Sequence, residues 1–254
     1  MKTSFAKPPA KPAMKKAEIV VEEDTSSEST TALAVAETNA ELANVVSTDG
    51  QVIGEYTPRD LTYPRMNLVN KTGELSNTFA PGSFLYNKEV VIGDGKKPAI
   101  ITIKRIAKFY IQDLPYGSGE IPKNFVSLRD VRAAGGVLAT DADVEEGSDR
   151  YSEAMTCIVL VKSLDKENPL FPFEYNGERY GVAQWLLTKS AYKQTGRKLF
   201  TDSQLALRAG IDTAAYELTS SIRTNAQGSW YVPMVKLGAK HDGKFIEFVR
   251  GLAG

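Results

Sequence analysis

The segment AAYELTSSIRTNAQGSWYVPMVKL, residues 214–237, constrains the fold more than any other. Tyr216, Leu218, Ser220 and Ile222 alternate with Glu217, Thr219, Ser221 and Arg223, the period-two pattern of a half-buried strand. Asn225, Ala226, Gln227 and Gly228 supply turn chemistry, and Gly228 can take the positive φ that closes a hairpin. Trp230, Val232 and Met234 then fall on one face, with Tyr231, Val235 and Leu237 on the other. Pro233 cannot donate to a ladder, so the return strand is expected to bulge or to run along a sheet edge. A long hairpin with aromatic groups on both faces and Arg223 near its tip needs a partner surface.

The charge is neutral overall but unevenly spread. Residues 1–55 hold five Lys against nine Asp/Glu, whereas residues 179–254 hold eleven Lys/Arg against five Asp/Glu, about +6. A basic terminal region beside an acidic leader points to contact with a polyanion. Residues 1–55 combine a Lys/Pro/Ala-rich start with an acidic Ser/Thr/Ala stretch and have few large apolar groups, so a disordered arm is expected, with helical character over 31–46. The single cysteine, Cys157, sits in the apolar run TCIVLV and reads as a small buried hydrophobe. One Cys and one His cannot build a structural zinc site, and no run of about 18 apolar residues suggests a membrane span. A cytoplasmic protein is expected.

Along the chain, strands are expected at 88–92, 99–114, 153–164, 182–189, 214–223 and 228–237. In 99–114, strict alternation puts Lys104, Lys108 and Tyr110 on one face and Arg105 and Phe109 on the other. Bases interleaved with a tyrosine suit a nucleic-acid platform. Residues 115–153 read as an insertion, in which Ser127 and Asp130 form a capping box for a short helix that Gly135 and Gly136 stop. Asp141 and Asp143 fail the EF-hand spacing, since Glu146 stands where the loop needs Gly. Ser190 is placed to cap a helix whose Lys189, Lys193 and Arg197 share one face with Lys198 adjacent, and Thr201 opens a second capping box. His241 reads as a solvated residue, and the chain ends in a short amphipathic helix over 241–254. No phosphate loop, dinucleotide fingerprint or acyl-transfer constellation is present, so no enzyme, cofactor or metal site is read here.

Strands that enclose a helical segment late in the order are the arrangement of an OB-fold. The expected architecture is therefore mainly β (α+β): an OB-like Greek-key barrel over 56–240 with the 115–153 insertion, preceded by the arm. The stretches WLLTKSAYKQTGRKLF and YELTSSIRTNAQGSWYVPMVKL, with PRMNLVN and PGSFLYN earlier, resemble phage-encoded single-stranded-DNA-binding proteins. That resemblance implies an OB-like core that coats single strands in replication or recombination, in the host cytoplasm. The acidic region of such proteins often stands at the C-terminus, whereas here it leads the chain. The candidate phosphate contacts are Lys104, Lys108, Lys189, Lys193, Arg197, Lys198 and Arg223. Tyr110, Tyr192, Trp230 and Tyr231 are the stacking candidates, with Phe109 on the alternative face of its strand. Single-stranded DNA is the expected partner. Replication or transcription proteins could join through the arm, and homo-oligomerisation stays open. The alternative is a virion component or a host-polymerase binder that uses the aromatic hairpin as a protein interface.

Overall fold

A computed structural model describes residues 62–252, apart from 95–96, 116–117, 143–146 and 227, together with two strands before them. Those two, β1 (Ala43–Val46) and β2 (Val52–Tyr56), pair antiparallel. They fall in the arm expected to lack order, with β2 running one residue past it, and β1 is a strand where the end of a helical segment over 31–46 is expected; the rest of that arm lies outside the described residues.

The remaining strands follow as β3 (Met66–Leu68), β4 (Phe84–Tyr86), β5 (Val90–Gly93) and β6 (Ala99–Gln112). After β6 come β7 (Asn124–Phe125), helix α1 (Leu128–Ala133), β8 (Val137–Leu138), β9 (Arg150–Lys162), β10 (Phe173–Tyr175) and β11 (Glu178–Thr188). A continuous helical stretch over 189–206 follows, containing α2 (Lys189–Ala191) and α3 (Arg197–Thr201). The chain then makes β12 (Ala214–Asn225), β13 (Gly228–Lys240) and α4 (Gly243–Gly251).

The main sheet runs β10-β11-β9-β6-β12-β13, antiparallel throughout, with β7 added to β6 and β8 pairing β9 in parallel. Its outer strands do not pair with each other, so the sheet stays open and the expected closed barrel is not formed. A second small sheet is β3-β4-β5. Pro233 sits in β13, the edge strand, as its missing donor requires.

Burial explains the layering. β9 is buried along nearly its whole length because both of its faces are covered. On one face, Met155, Cys157, Val159 and Val161 join the main core with Phe84, Tyr86, Tyr192, Leu199 and Leu207. The small sheet and the helical stretch supply that cover. On the other face, Ile158, Leu160 and Val182 pack against Phe245 and Val249 of α4. Cys157 is fully buried and burial pushes its thiol up, as expected of a small core residue. His241, expected in solvent, is half-buried against the Phe245 ring at 4.3 Å and bonds Thr102 at 2.9 Å.

Strict alternation in β6 fails at one place. Ile103 pairs with Val159 but Arg105 pairs with Ile158, so Lys104 is an extra residue in a bulge. Beyond it, every side chain changes face. Ile106 and Lys108 lie with Cys157 and Met155, whereas Arg105 and Phe109 lie with Ile158 and Ala154. Lys104 donates to the Leu252 carbonyl at the end of α4, and burial holds its amine below the usual range.

The insertion folds locally as read. Ser127 accepts from the Asp130 amide at 3.2 Å, and Gly135 takes φ +77° at the helix end. Its Val131 packs with Tyr110 and Tyr151, and Phe125 of β7 meets Tyr151 edge-on at 5.4 Å. Asp141 accepts from Arg132 and from the Leu138 amide.

Gly82, in the turn between β3 and β4, has φ +91°, and a Cβ built there would stand 2.7 Å from the Tyr231 ring. Gly82→Ala should therefore lower the unfolding free energy by about 2 kcal/mol or more, combining backbone strain with a forced ring shift. Urea denaturation measures this, and unchanged stability would contradict the close approach of the turn to β13.

Candidate nucleic-acid interface

β12 pairs with β6 only from Ala215 to Leu218, whereas its pairing with β13 continues to Asn225. The distal hairpin therefore reaches seven residues past β6, roughly 20 Å at strand rise. Four hydrogen bonds brace it. On one side Ser220 Oγ donates to the Gly82 carbonyl at 2.7 Å and the Tyr231 amide donates to Asn70 Oδ1 at 2.9 Å. On the other, Thr195 Oγ1 donates to the Pro233 carbonyl at 2.6 Å and Trp230 Nε1 donates to Ser190 Oγ at 3.1 Å. These last two bonds tie β13, the outer strand of the sheet, to the helical stretch. Ser190, read in the sequence as a helix cap, is used as this acceptor, and Thr188 precedes the helix with no capping bond.

Two π-turns, Tyr192–Gly196 and Asp202–Ala206, interrupt the α-helical spacing. Extra residues of this kind frequently mark functional helices. No second cap opens at Thr201, whose hydroxyl instead donates to the Arg197 carbonyl at 2.9 Å. Lys189 has φ +47°, outside helical geometry, so it leaves the expected single row with Lys193 and Arg197.

The expected cations separate into three groups. Lys104 is turned to α4 by the bulge and cannot share a groove with Lys108. Lys108, Arg197, Lys198 and Lys189 have carboxylate partners: Glu153 at 2.6 Å, Glu153 at 2.9 Å, Asp202 at 3.0 Å and Asp113 at 3.8 Å respectively. Lys193 and Arg223 are exposed and, among the described residues, make no ion pair. Glu153 is the residue that sequence reasoning missed. It stands opposite Tyr110 in the ladder and bridges Lys108 and Arg197. Burial alone would raise its carboxyl, but the hydrogen bonds from Lys108 and Arg197 hold it below the usual range. The Lys108 amine is likewise lowered by burial and, on balance, raised by Glu153.

The expected aromatics divide as well. Tyr110 and Tyr192 are 8% and 5% exposed, and Phe109 is equally enclosed. None of these rings has a free face for a base. Tyr110 packs into the insertion and Tyr192 into the main core, where the Arg197 guanidinium lies 5.9 Å from its ring. Trp230 and Tyr231 are half-buried on the hairpin rather than enclosed, with Arg223 the direct cross-strand partner of Trp230. Phe200, which the sequence reading passed over, is 49% exposed three residues after Arg197.

No protein-family model matches the chain, and neither the curated proteins nor the solved structures give a match.

Glu153→Gln removes the one charge that neutralises both Lys108 and Arg197. All three side chains are partly exposed, so the loss should cost no more than about 1 kcal/mol of stability. The same change should raise the salt needed to elute the protein from a heparin column. An unchanged or lower elution salt would contradict the role of Glu153 as neutraliser of this surface.

Proposed function

We propose that this chain binds single-stranded DNA without sequence preference, along a surface made by the β12–β13 hairpin and the helical stretch 189–206. The observation that carries the reading is Trp230. Its ring is only partly buried, its indole nitrogen is tied to Ser190, Arg223 stands opposite it, and Lys193 follows Ser190 on the helical stretch. A presented aromatic ring gives any base a face to stack on, worth roughly 1–3 kcal/mol per base. Adjacent unpaired cations provide sequence-independent attraction to phosphate.

The surface is reduced from the one read in the sequence: Arg223, Trp230, Tyr231, Lys189, Lys193 and Arg197 belong to it, and the buried tyrosines do not. In this reading the open sheet serves as the platform that a closed barrel provides in OB-folds. The function is strand coating in replication or recombination, as the resemblance to phage proteins implies.

A second reading draws on Ile222. It is 47% exposed at the hairpin and directly opposite Tyr231, an apolar pair suited to a protein interface such as a virion or polymerase contact.

Trp230 is a built-in reporter, because the other tryptophan, Trp185, is buried. Titration with oligothymidylate should quench its fluorescence, and the apparent affinity should fall as salt rises. Lys193→Glu with Arg223→Glu should weaken binding at least about tenfold at low salt. It should also reduce the slope of log K against log salt by about 1.4, two phosphate contacts at ~0.7 each. A folded protein that gives no response at about 50 mM salt would contradict this reading and favour the interface.

A further inference from the structure

The helical stretch and the main sheet enclose a depression of about 410 Å³ on the side of Lys108. That volume falls within the ~300–1,000 Å³ usual for small-ligand sites. Its floor includes Met155 and Leu207, Phe200 forms an aromatic wall, Gln204 adds an amide, and Lys108 and Arg208 stand at its border. Among the described residues that line it there are two cations and no carboxylate; Lys108 is paired with Glu153 just outside the lining, and Arg208 makes no ion pair among the described residues. A second depression of about 350 Å³, beneath Lys189, differs in this respect because Asp113 and Glu120 line it.

We infer that the depression beside Phe200 is a nucleotide subsite, taking one base against the Phe200 ring with its phosphate at Arg208. The inference rests on the single-strand reading above and extends it to a second base position. Three properties select this occupant. An exposed aromatic ring of 49% accessibility offers a stacking face that costs nothing to uncover. The amide of Gln204 can donate to or accept from any base edge, which keeps the subsite tolerant of sequence. The Arg208 guanidinium, which makes no ion pair among the described residues, suits a phosphate and disfavours a carboxylate-free apolar peptide, which would leave that cation desolvated without a partner, whereas Lys108 is already paired with Glu153.

Position in the fold agrees with this. Ser190, which holds Trp230, and Phe200 are ten residues apart on one helical stretch, roughly 15 Å at helical rise. Arg197 lies between them in the chain, and its partner Glu153 also accepts from Lys108, which lines the depression. A strand stacked on Trp230 can thus run along the helix, pass the Glu153 bridge, and end on Phe200. The mixed polar and apolar lining then has a role that core packing does not require, since Phe200 and Arg208 contribute nothing to the main core.

The test compares wild type, Phe200→Ala and Phe200→Tyr with an oligothymidylate of about twelve nucleotides, within the site sizes such surfaces cover. Phe200→Ala should weaken binding about 5- to 100-fold, Phe200→Tyr should restore most of it, and the maximal Trp230 quench at saturation should be unchanged. Because Phe200 is exposed, the melting temperature of both variants should stay close to that of wild type, which separates a lost contact from a lost fold. Arg208→Gln should lower the salt slope by about 0.7. If wild type binds and Phe200→Ala binds within twofold of it, the subsite is overturned while the Trp230 reading stands. If wild type gives no binding, both fall together.

Discussion

The seating of the helical stretch on the main sheet decides which of its side chains are available. Tyr192, Leu199 and Leu207 are drawn into the same core as Met155, Cys157 and Tyr216, and together they fix the rotation of the stretch about its axis. Each large apolar group buried here contributes on the order of 2 kcal/mol, more than any ion pair on the outer surface can offset. With that rotation set, Lys193, Arg197 and Phe200 are left outside. Tyr192 is lost as a stacking surface for the same reason that Phe200 is gained.

Charge on this surface is internally managed. Glu153 neutralises two of the cations nearest the sheet, and Asp202 and Asp113 take two more, which leaves Lys193, Arg208 and Arg223 as the exposed cations of this surface that make no ion pair among the described residues. The hairpin is held by hydrogen bonds from two separate segments. Gly82 and Asn70, in the connection between β3 and β4, supply two of them, and Ser190 and Thr195 of the helical stretch the other two. An edge strand that would otherwise invite pairing is thereby covered by a helix, a usual protection for such edges.

Much of the scaffold was legible in the sequence, because it rests on local signals. Period-two alternation marked β12 and β13, Pro233 marked the edge, and Ser127 with Asp130 marked α1. What escaped rests on contacts between distant segments. The bulge at Lys104 reverses the faces of β6, and nothing in the alternation of 99–112 announces it; only pairing with β9 reveals it. Glu153 lies 44 residues from Arg197, so its neutralising role has no local signature. The positive φ of Lys189 removed it from the simple i, i+4 row with Lys193 and Arg197. The barrel was inferred from element order alone, which says nothing about whether the outer strands meet.

The most direct test is to locate a bound strand on the surface. Ultraviolet crosslinking of an oligothymidylate to the intact chain, followed by trypsin digestion and mass spectrometry, reports which peptides touch it. Adducts are expected on peptide 224–236, which carries Trp230, and on peptide 199–208, which carries Phe200. Adducts confined to other peptides, or a folded protein that yields none, would contradict the account.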